Sequence, residues 1–138
     1  MSRSSDRANS VVAAVEQVAQ MYGVPCYRMQ SRVFTVPGRG GKNRPMFVGQ
    51  WRDDLGVIHH GGMADLLLHP RIWQARGEPS IPVPLWVEAK SGSGELEPEQ
   101  VAFARHVMEN GGFYLVAKDS ADEVLAWFKA QGVARRNA

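Results

Sequence analysis

The chain has 138 residues, 44% hydrophobic and 22% charged, a balance that suits one ordinary globular domain and excludes a disordered or fibrous polymer. Sixteen basic against fourteen acidic residues leave a net charge of +2 and a pI near 8.9, which demands no polyanionic partner, so the placement of the charges says more than their sum. The single cysteine, Cys26, rules out an intramolecular disulfide and a multi-cysteine zinc site and reads as a small buried hydrophobe.

Met1 to Asn9 is polar and lacks the apolar stretch of a secretory signal. No later run approaches the roughly 20 apolar residues that cross a bilayer, so a cytoplasmic chain without a membrane partner is expected. Val11, Val15, Val18 and Tyr22 stand at helical spacing, Val12 and Ala19 widen the stripe, and Gly23 then Pro25 stop it, which predicts a first helix over Ser10 to Tyr22. Cys26 to Met29 and Arg32 to Val36 alternate like short strands, Pro37 to Asn43 is an exposed glycine-rich loop, and Met46 to Trp51 is expected to resume the sheet. Asp53-Asp54-Leu55-Gly56 has the composition of a hairpin turn. Two strands follow, around Met63 to Leu68 and Pro82 to Ala89, joined by a linker holding Pro70, Gly77 and Pro79.

Ser91 to Gly94 is a flexible turn. Glu97-Pro98-Glu99-Gln100 opens a helix with proline at its first position and acids at the positive end of its dipole. Val101, Ala104, Val107 and Met108 supply its buried stripe, and Asn110-Gly111-Gly112 ends it. Phe113 to Ala117 is a short apolar strand, and Ser120 to Gln131 a last amphipathic helix capped by Ser120 with Glu123 three residues on. The order of helix, several strands, helix, strand and helix over one domain, 1–138, is that of an α/β protein.

The most informative segment is Val83 to Lys90, taken with Asp65. As a strand it turns Val83, Leu85, Val87 and Ala89 to one face and Trp86, Glu88 and Lys90 to the other. Same-face neighbours lie about 6 to 7 Å apart along a strand, so Glu88 and Lys90 reach the same ion and its water. Gly61-Gly62-Met63-Ala64-Asp65-Leu66-Leu67-Leu68 reads as a tight turn into a buried strand, where an aspartate is costly unless something pairs with it. Phosphodiester hydrolysis needs the charge on the phosphate oxygens neutralised and a hydroxide generated near neutral pH, and a carboxylate-bound magnesium ion supplies both. In this scheme Asp65 and Glu88 hold metal, the Ala89 carbonyl adds an oxygen, and Lys90 acts on the attacking water. Glu-x-Lys alone on a strand is more often a charge pair; here it follows Gly-x-x-Asp and precedes a glycine-rich turn and a Pro98-Glu99-Gln100 helix start.

In these motifs, Gly62-Met63-Ala64-Asp65-Leu66, Val87-Glu88-Ala89-Lys90-Ser91-Gly92, Leu96-Glu97-Pro98-Glu99-Gln100, the Gly111 to Val116 strand and the Asp122-Glu123 helix, the chain resembles the VRR-NUC branch of the PD-(D/E)XK nuclease superfamily, over about 61–128. The resemblance implies a restriction-endonuclease-like core, a mixed sheet flanked by helices, and dependence on Mg2+ or Mn2+. It assigns metal binding to Asp65 and Glu88, catalysis to Lys90 and support of the site to Gln100. It also implies a homodimer acting on branched DNA such as a Holliday junction, in a branch whose members stand alone in phages or are fused to DNA repair enzymes. Ala64 stands where the family usually has proline. The acid that members carry on the first helix falls near Ala8, for which Glu16 or Asp6 are the substitutes, against a plain solvated role for Glu16.

Arg39, Lys42 and Arg44 in the loop, within a basic group that includes Arg28 and Arg32, are expected to contact phosphates, as is the Arg135-Arg136 pair. His59 and His60 point to opposite faces of a strand and do not jointly ligate an ion; one is expected near the phosphate and the other exposed. Trp127 with Val124 and Phe128 is core, and core is also favoured over base stacking for Trp51 and Trp73. A metal-dependent endodeoxyribonuclease is therefore expected. The rivals are a catalytically inactive DNA-binding module of the same fold and a structural subunit whose carboxylates form a surface salt bridge.

Overall fold

The computed structural model describes residues 3–29, 32–72 and 80–134, with 3–7, 32–34 and 46–48 described by their backbone only. In chain order these form α1 (Arg3–Tyr22), β1 (Cys26–Arg28), a hairpin of β2 (Arg32–Pro37) and β3 (Asn43–Val48), and a hairpin of β4 (Trp51–Arg52) and β5 (Ile58–His59). There follow β6 (Leu66–Leu68), a hairpin of β7 (Arg71–Ile72) and β8 (Ile81–Pro82), β9 (Leu85–Lys90), α2 (Pro98–Glu109), β10 (Phe113–Lys118) and α3 (Asp122–Ala130). Trp73, Gly77, Pro79, the Asp6 side chain, the Arg32 side chain and the Arg135-Arg136 pair lie outside what is described. The first helix starts before Ser10 because no glycine or proline interrupts the polar residues ahead of its apolar stripe.

The protein is α/β, with a mixed sheet flanked by helices. Its strands run in the order β1, β6, β9, β10; the first two junctions are antiparallel, and β9 and β10 are parallel across α2. Met46 to Trp51 does not rejoin this sheet. Among the described residues β3 pairs only with β2, and Gly49 at φ 81° turns the chain before Trp51 begins a separate hairpin. Asp53 to Gly56 makes the expected turn of that hairpin, with the Gly56 N–H donated to the Asp53 carbonyl.

One sheet face carries Leu66, Leu68, Leu85, Val87, Ala89 and Ala117 against Val11, Val15 and Ala19 of α1 and Val124 and Phe128 of α3. The other carries Trp86 and Tyr114 against Phe103 and Val107 of α2, with Trp51 and Ala64 closing this smaller core. Trp51 is thus core, its ring edge-to-face on Phe103 at 5.2 Å between centres. The stripe of α2 is rotated from the expected one: Phe103, Ala104 and Val107 are buried, while Val101 and Met108 stay 41% and 58% exposed. The aromatic pair Trp51 and Trp86 accounts for this, since packing on their rings turns Phe103 inward. α3 begins at Asp122 without the expected capping box; Ser120 Oγ instead accepts the Asp122 N–H at 3.2 Å. Cys26 is half-buried, and burial pushes its thiol up to about 11, the value of an inert thiol. No described helix is long and apolar enough to cross a membrane.

Candidate functional site

β6 and β9 pair with Leu66 opposite Val87, so one further step along the antiparallel register sets Asp65 beside Glu88 on the α2 face. The Ala89 N–H donates to Asp65 Oδ2 at 2.8 Å, and the Asp65 carbonyl accepts the Met29 N–H at 2.8 Å. The aspartate therefore interrupts no ladder: its side chain replaces a backbone acceptor at the strand's end. Glu88, 4% exposed, is the one buried charged residue among those described. Its Oε1 accepts a 2.8 Å hydrogen bond from Gln100 Nε2 and lies 3.8 Å from Lys90 Nζ, whereas its Oε2 is sealed from solvent without a hydrogen-bonding partner.

Burial and the neighbouring Asp65 push the Glu88 carboxyl up to about 8, with Lys90 pulling the other way. Burial also raises Asp65, against the stabilising Ala89 N–H and Lys90. Two carboxylates side by side disfavour joint ionisation, and one ammonium does not offset both. Such a pair takes up either a proton or a cation. Glu88 and Lys90 form their ion pair below the surface rather than on it, their side chains being only 5% and 16% exposed.

Three braces hold the pair. Gln100 accepts the Glu97 N–H at its own Oε1 at 2.8 Å, so the residue that caps α2 also grips Glu88. Gly62, at φ 83°, lies against the Glu99 carbonyl so closely that any Cβ would collide with it; this sets the Gly61 to Asp65 approach onto the start of α2. His59 stacks on Trp51 at 4.0 Å and 9°, with Nε2 on Asp53 Oδ2 at 2.9 Å and Nδ1 facing Glu99 Oε2 at 3.3 Å, while Trp51 Nε1 donates to the Gly61 carbonyl at 2.7 Å. Asp53 and then Glu99 raise the His59 pKa, which favours the protonated ring, and the imidazole ties the β4–β5 hairpin to α2. His60 is exposed.

The structure thus brings together Asp65, Glu88, Ala89, Lys90 and Gln100. It does not bring Glu16 to them. Glu16 is ion-paired with Arg28 at 2.5 Å, and Arg28 stands opposite Leu66, on the α1 face of the sheet. Among the described residues no group of three acids, histidines or cysteines could hold a metal ion, so the acidic site is a pair. Arg39, Lys42 and Arg44 are exposed on the β2–β3 hairpin, where the Gly38 N–H donated to the Lys42 carbonyl closes the turn. Sequence reasoning missed Asp119 and Tyr114. Asp119, the single described non-glycine residue with positive φ, at 63°, accepts the Gly92 N–H at 2.7 Å and donates its own N–H to the Lys90 carbonyl, clamping the turn that follows Lys90. An Asp-Ser pair after an apolar strand was its only signal, since aspartate tolerates the left-handed region better than most residues. Tyr114 shows itself only through the register of β10 on β9. Comparison with family models, curated proteins and solved structures gives no match.

Proposed function

We propose that the chain is a metal-dependent DNA endonuclease, a single VRR-NUC-like domain on a restriction-endonuclease-like core. The observation that carries this reading is the buried carboxylate pair with an ammonium beside it: Glu88 Oε2 has no partner, its other oxygen is held by Gln100, and Lys90 stands 3.8 Å away. A buried, partnerless carboxylate oxygen is expensive, and a hard divalent cation ligated by oxygen atoms removes that cost. Asp65, Glu88 and the Ala89 carbonyl would hold Mg2+ or Mn2+, which when bound supplies charge neutralisation at the phosphate and a water of lowered pKa. Gln100 fixes the Glu88 carboxyl plane, the Ala89 N–H fixes Asp65, and Lys90 orients or deprotonates the attacking water. The exposed Arg39, Lys42 and Arg44 hairpin supplies phosphate contacts away from the reacting centre. A homodimer would set two such sites against two strands, the arrangement that branched DNA requires.

The missing third acid favours one alternative, a catalytically inactive DNA-binding module of the same fold. Incubating the purified chain with linear, flapped and four-way DNA in Mg2+ or Mn2+ separates the two. Metal-dependent cutting that Lys90→Ala abolishes while DNA binding persists supports the nuclease, and four-way DNA as the preferred substrate supports the junction reading. Binding without cutting under every metal establishes the inactive module.

A further inference from the structure

Among the described residues, two side-chain atoms are sealed from solvent with no hydrogen-bonding partner: Glu88 Oε2 and the Tyr114 hydroxyl. Leaving a buried hydroxyl unpaired is costly, so an isolated case asks for a cause. Tyr114 stands opposite Trp86 in the parallel β9–β10 register and Val116 opposite Glu88, which puts Tyr114 and Glu88 one same-face step apart on neighbouring strands. With strands about 4.8 Å apart and same-face residues about 6.6 Å apart, their Cα atoms are separated by about 8 Å, within reach of a tyrosine and a glutamate turned towards each other. Packing on Phe103 of α2, at 6.3 Å between ring centres, holds the phenol ring beneath the same helix that supplies Gln100. The phenol is pushed upward first by burial and then by the charges of Glu88 and Asp65, which places its oxygen in the field of the pair.

We infer that Tyr114 is a positioning residue of the carboxylate site: unpaired in the metal-free chain, its hydroxyl donates to the ionised Glu88 Oε2, directly or through one bridging water, when a cation is bound, and so holds that oxygen towards the ion shared with Asp65. The inference rests on the metal-site reading above. A phenol has one proton to donate and an ionised carboxylate only accepts, so one hydrogen bond satisfies both orphaned atoms. The second lone pair of Oε2 stays open to the cation, while Gln100 retains Oε1.

Tyr114→Phe removes one oxygen and keeps the ring. Calorimetric titration of the metal-free full chain with Mn2+ should show a Kd about 10-fold weaker or more in the variant, the usual cost of losing a residue that orients a ligand. The Tm without metal should be unchanged or higher, because an unpaired buried hydroxyl has gone. In the wild-type chain, Mg2+ should shift the ring NMR signals of Tyr114 and leave those of Tyr22, packed on Phe128 across the sheet, in place. Equal Mn2+ affinity in the two chains, or Tyr114 signals indifferent to Mg2+ in a chain that binds it, overturns the role of Tyr114 alone. A wild-type chain that takes up neither ion overturns the metal site and this inference with it.

Discussion

Gln100 donates an amide N–H to Glu88 Oε1 and accepts the Glu97 N–H at its own carbonyl oxygen, both at 2.8 Å. One side chain therefore ties the start of α2 to the only buried charge among the described residues. Gln100→Ala should lose about 1 kcal/mol of stability in urea denaturation through the lost cap, and cleavage of supercoiled plasmid should fall roughly 10- to 100-fold through a loosened Glu88. Gln100→Glu keeps an acceptor for the Glu97 N–H but sets a third acid against the pair, so it should restore the cap while repulsion holds both stability at neutral pH and activity below wild type. Recovery of both would mean that Gln100 serves the helix only.

Glu88 also makes the metal-free protein sensitive to alkali. Its carboxyl titrates at about 8 when folded and at the ordinary glutamate value when unfolded, so between those two pH values the folded state holds the extra proton. Its contribution is complete at acid pH and is lost as pH rises through 8. Asp65 and His59, both raised, act in the same direction. Thermal melts from pH 5 to 9 in chelator should show a falling Tm, each kcal/mol lost being worth roughly 3–5 °C at this size. Glu88→Gln should flatten the slope and melt higher than wild type at pH 8. Equal slopes in the two chains would show that Glu88 ionises freely.

The strand carrying Glu88 and Lys90 was legible because its apolar residues alternate, and period two alone sends Glu88 and Lys90 to the face opposite Val87. The start of α2 was legible from Pro98 and its acids. Legibility stopped where partners come from far along the chain. Nothing local tells that Met46 to Trp51 leaves the main sheet, that Trp51 and Trp86 rotate the buried stripe of α2 onto Phe103, or that Glu16 is taken by Arg28. Pairing register is also a tertiary fact, so the sequence shows an acid at 65 and another at 88 without showing that one step beyond Leu66 and Val87 sets them side by side.

Asp119 lets the clamp after Lys90 be tested apart from the carboxylates. At φ 63° an alanine is strained, and it also lacks the acceptor for the Gly92 N–H, so Asp119→Ala should cost about 1–3 kcal/mol. Asp119→Gly relieves the backbone only. Asp119→Asn keeps both the acceptor and the tolerance of this conformation. Melting temperatures should therefore fall in the order Asn, Gly, Ala, and cleavage should be reduced in Gly as well as Ala because the turn behind Lys90 slackens in both. Full cleavage by the glycine variant would show that the Asp119 carboxylate contributes nothing to the placement of Lys90.

Arg39, Lys42 and Arg44 project from a hairpin whose two strands, among the described residues, pair only with each other, so replacing their charges should leave the main sheet and the carboxylate pair untouched. If all three meet phosphates, the triple alanine variant should bind DNA more weakly at every sequence. Its plot of log affinity against log salt should flatten by about 0.9 for each phosphate no longer neutralised, about 3 in all. Fluorescence anisotropy over a range of salt concentrations reads this slope directly. Cleavage at saturating DNA should hold within a few-fold, since these cations lie on a separate hairpin from Lys90. A triple variant that retains the wild-type salt slope would remove the hairpin from the DNA path and leave the phosphates to be met by another surface.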